Sequence, residues 1–295
     1  MTFLALDIGG TKFAAARVEP DGTLAGEQQV PTPATDVWAA AETLLTTVAG
    51  GRPVRRVGIA SAGPVDVAAG TVGPLNLPEW CHGFPLVDAV RDLFPDATVT
   101  LAMDGACCTL AEYRFGAGRG TDNQIGMIVS TGVGGGIVVD GRVAHGRTGN
   151  AGHIGHVVVP GAEDVPCACG GFGCLEAVAS GPSAVRWANE RGWAGSTGLE
   201  LSQAAAAGDD VAVAALDRAG SAIGTAIASV AAVLDLDLAV VGGGFGQAGA
   251  PLWDPLLEAA RRHAGLSFSR GLRVVPATLG ARATLIGAGV LTLDS

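Results

Sequence analysis

Apolar and polar positions alternate along this chain with two periods, one typical of strands and one typical of helices. Short apolar runs between glycine or polar residues predict strands at 3–7, 12–18, 55–60, 98–103, 124–129, 133–139, 238–241 and 272–276. Helical spacing predicts helices at 35–49, 84–94, 105–115, 211–235, 252–264 and 281–292, with an alanine-rich helical region before the fourth. Strands that alternate with helices in this way predict an α/β protein.

The two halves of the chain begin alike. The first half has a strand, a Gly-Gly-Thr turn and a second strand, and the segment QIGMIVSTGVGGGIVVDGRV at 124–143 repeats that arrangement. A polar, glycine-rich stretch at 116–123 separates the halves and is the predicted domain boundary. We therefore expect two related α/β domains.

Composition narrows the classes of function. With 295 residues, 48% of them hydrophobic and 16% charged, the chain predicts a soluble globular protein of two domains. A net charge of −10 argues against nucleic acid as a partner, because phosphate backbones require clustered lysine and arginine. No apolar run reaches membrane-spanning length, and the N-terminus MTFLALDIGG lacks the features of a secretory signal. We expect a cytoplasmic protein that binds small molecules and not membranes.

Four potential metal ligands follow the second half's opening strands: His156, Cys167, Cys169 and Cys174. Three thiolates and one imidazole form the ligand set of a closed, structural zinc site. Three of the six cysteines fall within eight residues, which disfavours unrelated thiols. The other three show no disulfide framework, in keeping with a reducing cytoplasm. A zinc hydrolase built on His153 and His156 is disfavoured, because such an enzyme needs an open coordination position.

Three glycine-rich turns follow predicted strands: DIGGTK at 7–12, STGVGGG at 130–136 and VVGGGFG at 240–246. Backbone N–H groups in such turns can approach phosphate oxygens. Asp7 ends a strand that is expected to be buried, and a metal or metal-bound water would explain its placement. An ordinary hairpin explains the first turn equally well. The repetition favours a nucleotide site.

Asp104 directly follows the strand TVTLAM and begins a helix. By itself this position favours a helix N-cap, although ligand sites of α/β proteins also gather at the carboxyl ends of strands. Asn76 and the loop 61–64 are polar or flexible points in apolar surroundings, and they line a pocket or form turns.

Taken in order, the motifs DIGGTK, SAGPVD, LNLPEW, STGVGGGIV, AGHIGH, CACGGFGCLE and VVGGG resemble those of the ROK family of sugar kinases and related repressors. The resemblance covers essentially the whole chain, and the zinc segment is its most specific part. It implies an actin/hexokinase-like fold with two ribonuclease-H-like domains flanking a cleft, here 1–117 with 281–295, and 118–280. It also implies phosphoryl transfer from ATP with Mg²⁺ to the 6-hydroxyl of a hexose, and a homodimer.

The resemblance also implies roles for single residues. Asp104 would be the catalytic base, and Asp7 would lie near Mg²⁺. The sugar contacts would be Asn76, Asp104, His153, His156 and Glu176. The contacts to ATP and its phosphates would be Asp7, Gly9, Gly10, Thr11, Lys12, Thr131, Gly132, Gly134, Gly135, Gly243 and Gly244. His156 would then both bind zinc and face the sugar.

Two positions depart from the family pattern. The usual Glu-x-Gly-His motif has His153 in place of glutamate, and Met103 replaces the asparagine that usually precedes the catalytic aspartate. We hypothesise that His153 favours an N-acylated hexosamine, with N-acetylglucosamine first and glucose second. The family's repressors carry a DNA-binding domain ahead of the first strand, which disfavours that alternative here. A sugar sensor without turnover is a further alternative, against which Asp104 argues.

Overall fold

The computed structural model describes residues 2–75 and 77–293, and contacts divide the chain into two compact units. The first unit is formed by Met1–Arg114, Val143–Ala151 and Ala281–Ser295, and the second by Phe115–Arg142 and Gly152–Gly280. The expected division at 117/118 assigned 143–151 to the other domain. In the structure this segment packs on the first unit, because the Asn150 side chain accepts a hydrogen bond from Val65 N (2.9 Å) and donates one to Val65 O (2.6 Å).

The elements follow one another along the chain in an order close to the predicted one. The strands are β1 (Thr2–Ile8), β2 (Lys12–Val18), β3 (Leu24–Pro31), β4 (Val54–Ser61), β5 (Val65–Asp66), β6 (Thr71–Val72), β7 (Thr98–Met103), β8 (Gln124–Val129), β9 (Val133–Val139), β10 (Arg142–Val143), β11 (Leu238–Gly242) and β12 (Arg273–Pro276). The helices are α1 (Val37–Ala49), α2 (Leu86–Leu93), α3 (Asp104–Phe115), α4 (Glu176–Ala179), α5 (Gly181–Asn189), α6 (Gly198–Ala206), α7 (Asp210–Leu234), α8 (Ala250–His263) and α9 (Ala283–Leu291).

The main sheet of the first unit has the order β3-β2-β1-β4-β7. β1, β2 and β3 form an antiparallel meander, while β4 and β7 run parallel to β1. One face carries large side chains such as Phe13 that pack with α1 and α2. The other face carries alanines and packs with α3 and α9. A Cβ at Gly58 or Gly287 would clash with the backbone of a facing helix, so small residues let the helices lie close.

The main sheet of the second unit repeats this topology with the order β10-β9-β8-β11-β12. β8 and β9 form an antiparallel hairpin, and β11 and β12 extend the sheet in parallel from β8. An antiparallel start followed by parallel strands is therefore common to both units. The predictions of an α/β protein and of two related halves are confirmed.

The long helix α7 forms the core of the second unit. Among the described residues, it alone is long and apolar enough to cross a membrane by length and composition, and 56% of its most apolar window is buried. It packs along α8, where a Cβ at Gly220 or Gly224 would clash with the backbone oxygens of Leu252 and Leu256. Its small residues therefore serve close helix packing.

Candidate active site

Two carboxylates lie at the carboxyl edge of the first unit's sheet. The parallel register sets Ile8, Ser61 and Met103 level with one another, so that Asp7, one residue before the end of β1, and Asp104, directly after β7, share this edge. Burial raises the pKa of Asp7 to about 7, the charge of Asp104 adds to the increase, and Lys12 opposes it. Burial likewise raises the pKa of Asp104 to about 6. Two carboxyl groups that repel each other in a buried place are stabilised by a cation or a proton.

Asp104 does not act as an ordinary helix cap. A capping aspartate accepts hydrogen bonds from the second or third residue of the helix. Here Oδ1 accepts from the adjacent backbone N–H of Gly105 (2.6 Å), and no donor among the described residues reaches Oδ2. One carboxylate oxygen is therefore fixed by the backbone and the other is left for a different partner.

Two hydrogen bonds fix Gly9 in the turn between β1 and β2. Gly9 N donates to Lys12 O (3.1 Å), and the hydroxyl of Thr32 donates to Gly9 O (2.8 Å). Gly10 and Thr11 remain exposed. No sequence motif marks Thr32, which follows β3. Lys12 Nζ lies 3.3 Å from Oε1 of Gln29.

The corresponding turn of the second unit, 130–132, is tied to a helix and to a carboxylate. Ser130 O accepts from Gly181 N (2.8 Å), where α5 begins. Val133 N donates to Glu176 Oε2 (2.8 Å). A Cβ at position 132 would lie 2.6 Å from that oxygen, so a side chain there would push the Glu176 carboxylate away from its present position.

Some of the other glycines in these turns are required by packing, and one is not. Gly243 has a φ of +91° and a Cβ there would clash with the backbone of Val129, while a Cβ at Gly135 would lie 2.5 Å from Gly126 O. Packing within the unit therefore explains both. A Cβ at Gly134 meets nothing within 4 Å. Packing does not explain glycine at this position.

Two cavities of the second unit meet at Thr131 and Pro182. One, of about 650 Å³, is lined by polar loop residues such as Thr197 and by Gly244 and Phe245. Its volume and mixed lining suit a nucleoside. The other, of about 710 Å³, is lined by residues that include Cys167, Glu176, Arg186, Trp187 and Arg218.

The four predicted metal ligands converge in the second unit. The donor atoms of His156, Cys167, Cys169 and Cys174 all lie within 4.8 Å of one another. Cys169 Sγ is 3.7 Å from Cys174 Sγ, and Cys167 Sγ is 3.8 Å from His156 Nδ1. Zinc–sulfur bonds of about 2.3 Å give tetrahedral edges of about 3.8 Å, so these donors fit a zinc ion and fill its coordination.

The loop that carries these thiols depends on glycine and on backbone hydrogen bonds. Gly170 and Gly173 have φ values of +87° and +76°, which other residues rarely adopt. Cys167 N donates to Gly171 O (2.8 Å), and a backbone hydrogen bond from Gly171 lowers the pKa of Cys169. The loop is therefore shaped to bring three sulfurs together.

Of the predicted sugar contacts, His156 is itself a metal ligand, while His153 precedes it by three positions and Glu176 follows the ligand Cys174 by two. Because Nδ1 of His156 faces Cys167, its Nε2 is left for a second partner. The ring of His153 lies 5.7 Å from that of His156. Burial, followed by the charge of His156, lowers the pKa of His153, and Glu176 opposes the shift. Of the other two predicted contacts, Asp104 lies in the first unit and Asn76 falls outside the described residues.

The chain is similar to known proteins over most or all of its length. The model of the ROK family matches residues 3–295. An N-acetylmannosamine kinase of Yersinia pseudotuberculosis serotype O:1b (strain IP 31758) is 38% identical over 251 residues, 83% of this chain and 83% of that protein. The crystal structure of a ROK hexokinase from Thermus thermophilus matches with a TM-score of 0.86 and 32% identity, over 100% of this chain and 98% of the other.

A second crystal structure is similar over the full length of both chains. It is a ROK family glucokinase from Streptomyces griseus in complex with glucose and AMPPNP, with a TM-score of 0.84, 33% identity and 100% coverage of each chain. The similarity to both structures confirms the predicted hexokinase-like fold.

Proposed function

The chain belongs to the ROK family, and on that basis we propose that it is a kinase that transfers the γ-phosphate of ATP to the 6-hydroxyl of an N-acylhexosamine. The observation that carries this proposal is the pair of buried carboxylates, Asp7 and Asp104, at one edge of the first sheet. Phosphoryl transfer asks little covalent chemistry of a protein beyond alignment, neutralised charge and an acceptor for one proton. In this pair Asp104 would accept the proton, and Asp7 would hold the Mg²⁺ ion that neutralises the charge.

Asp104 is the catalytic base of the proposed reaction. With a pKa of about 6 it is mostly ionised at neutral pH, yet more basic than an exposed aspartate. Its Oδ1 is held by Gly105 N, which leaves Oδ2 to accept the proton of the sugar hydroxyl. Such a base acts when proton transfer accompanies bond formation to phosphorus.

Asp7 is the residue that would hold Mg²⁺, directly or through water. A buried carboxyl group with a pKa of about 7 beside a second carboxylate fits a cation, because the cation would relieve both the burial and the repulsion. When bound, Mg²⁺ neutralises charge on the phosphates. The exposed Gly10 and Thr11 follow Asp7 by three and four positions and are proposed to contact the transferred phosphate.

The nucleotide is proposed to bind in the second unit. The cavity of about 650 Å³ beside Gly244 would hold the nucleoside, and Thr131, which lines it, would face the phosphates. Gly134, whose α-carbon has open space, is proposed to allow the other phosphates a close approach.

The sugar is proposed to contact His153, Glu176 and His156, with zinc bound by His156 and the three thiolates in a purely structural role. An imidazole at 153 both donates and accepts hydrogen bonds, where the family's usual glutamate only accepts. This suits an acylamino group, which carries one donor and one acceptor. The 38% identity to an N-acetylmannosamine kinase adds that sugar to N-acetylglucosamine as a candidate. Glucose is the second candidate, supported by the glucokinase complex.

The test is ADP release measured over N-acetylglucosamine, N-acetylmannosamine, glucose and mannose, with Asp104→Asn as the matched control. We expect one N-acylhexosamine to give the highest kcat/KM and the variant to lose that activity. If no sugar gives ADP that depends on Asp104, the kinase proposal is wrong. Sugar binding without ADP release would point instead to a sensor.

A further inference from the structure

Glu176 lies between the metal-ligand loop and the turn 130–132 of the second unit. It is the first residue of α4 and follows the metal ligand Cys174 by two positions. Its Oε2 accepts the backbone N–H of Val133 (2.8 Å), which closes the turn 130–132. The side chain of a residue proposed to bind sugar is therefore also bonded to a turn proposed to bind phosphate.

The two oxygens of this carboxylate have different surroundings. Oε2 is committed to Val133, while no donor among residues 2–75 and 77–293 reaches Oε1. The side chain is partly buried, and it lies near enough to His153, another proposed sugar contact, for its charge to act on the pKa of that imidazole. A carboxylate oxygen in such a place takes its hydrogen bond from water or a ligand hydroxyl.

We propose that Glu176 is a positioning residue that couples the sugar to the nucleotide, with Oε1 accepting a sugar hydroxyl and Oε2 holding the phosphate turn through Val133. This inference rests on the proposed function and adds a second task to one of its residues. A sugar that fixes Oε1 also fixes Oε2, because both belong to one rigid planar group. The turn is then ordered before or as ATP binds.

The other hydrogen bonds of the turn do not replace the one that Glu176 accepts. These are the Ser130 N to Gly132 O bond within the turn (2.8 Å) and the Gly181 N to Ser130 O bond at its beginning (2.8 Å). Neither reaches Val133 N. Because Gly132 has no side chain, Oε2 of Glu176 has room beside the turn. Gly132 and Glu176 therefore act together in this contact.

The experiment measures the Kd of AMPPNP with Mg²⁺, with and without a saturating acceptor sugar, in the native protein and two variants. In the native protein we expect the sugar to tighten AMPPNP binding at least about 5-fold. Glu176→Ala removes both oxygens, and we expect it to weaken AMPPNP about 3- to 10-fold without sugar and to abolish the coupling.

Glu176→Gln separates the two tasks. Its amide oxygen can still accept from Val133 N, so AMPPNP affinity without sugar should stay within about 2-fold of native, while the sugar affinity and the coupling fall. Glu163→Gln is the matched control, since Glu163 accepts a backbone N–H (Gly161, 3.0 Å) on the exposed side of the same segment. Its AMPPNP affinity and coupling should equal those of the native protein.

A direct readout is hydrogen exchange at the Val133 amide, which we expect to be faster in Glu176→Ala and unchanged in Glu163→Gln. If AMPPNP affinity without sugar and Val133 exchange are native-like in Glu176→Ala, Glu176 is a sugar contact only and the inference is wrong. Absence of coupling in the native protein would equally overturn it. The sugar-free binding does not depend on turnover, so failure of the kinase proposal in the ADP assay would be recognised separately.

Discussion

After burial, the charge of Asp104 is what raises the pKa of Asp7, although Asp7 lies in β1 and Asp104 follows β7, a strand that β4 separates from β1 in the sheet. The shared strand register brings their carboxyl groups to one edge. Two acids that are 97 positions apart in sequence therefore lie close enough for the charge of one to act on the pKa of the other, an arrangement common among catalytic carboxylates.

Asp104→Asn should lower kcat by about 10²- to 10⁴-fold and at the same time stabilise the protein. Asparagine keeps the hydrogen bond from Gly105 N but removes a charge that is unfavourable in its surroundings. The gain should be on the order of 1–3 kcal/mol at pH 8, seen as a higher Tm. A variant that loses activity and Tm together would show that Asp104 is needed for the fold.

The size of that stabilisation should depend on pH. The folded-state pKa of Asp104, about 6, lies above the unfolded value of 3.8, so the native protein carries the full penalty only above pH 6. As the pH falls from 6 towards 3.8 the penalty fades, because the folded state takes up the proton first. Tm of native protein and variant, measured between pH 4.5 and 8, should converge at the acid end.

The activity of the native enzyme should fall as the pH drops through about 7 to 6. Protonation of Asp7, with a pKa of about 7, weakens its attraction for a cation, and protonation of Asp104, with a pKa of about 6, removes the base. The measurement is kcat/KM from pH 5 to 8.5. A flat profile down to pH 5 would contradict both assignments.

Removal of the metal should damage sugar binding as well as stability. Cys169→Ser deletes one exposed ligand of the four. We expect bound zinc to be lost, Tm to fall and the sugar KM to rise several-fold, because zinc orients His156 and the segment before Glu176. Cys81→Ser, a thiol outside the cluster, is the control. A zinc-free, folded variant with native sugar KM would refute a role for the metal in the site.

Sugar preference should respond to position 153. His153→Glu restores the glutamate that is usual at this position in the ROK family. It replaces a side chain that donates and accepts hydrogen bonds with one that only accepts them. The ratio of kcat/KM for glucose to that for the N-acylhexosamine should rise, by about 10-fold for one exchanged hydrogen bond. If the native enzyme already prefers glucose, or if the ratio does not move, the hypothesis about His153 fails.

Two glycine-to-alanine changes should separate packing from ligand approach. Gly243→Ala meets the backbone of Val129 at a φ of +91° and should cost more than about 1 kcal/mol of stability. Gly134→Ala enters open space and should change stability by less than about 0.5 kcal/mol. It should nevertheless raise the KM for ATP. A native ATP KM in Gly134→Ala would remove this residue from the phosphate contacts.

The elements that the sequence predicted well are those whose signal is local. The period of apolar residues places β1, β2, β7 and α7 within a few positions of their observed ends. β3 was missed because it is an edge strand whose side chains are mostly partly buried or exposed, so it lacks an apolar run. The short helices α4 to α6 were recognised only as an alanine-rich helical region.

The sequence by itself determined which residues have the chemistry of a site: the four metal ligands, the glycine-rich turns, and acids that follow apolar strands. These signals are local, because donor type and spacing within a loop do not require knowledge of the rest of the chain. Only the tertiary structure decided which of them lie close together. The hydrogen bond between Glu176 and Val133 joins residues 43 positions apart. The contact between Gly243 and the backbone of Val129 joins residues that are even further apart in sequence. Contacts of that range depend on the path of the backbone through the whole unit, which no local pattern records.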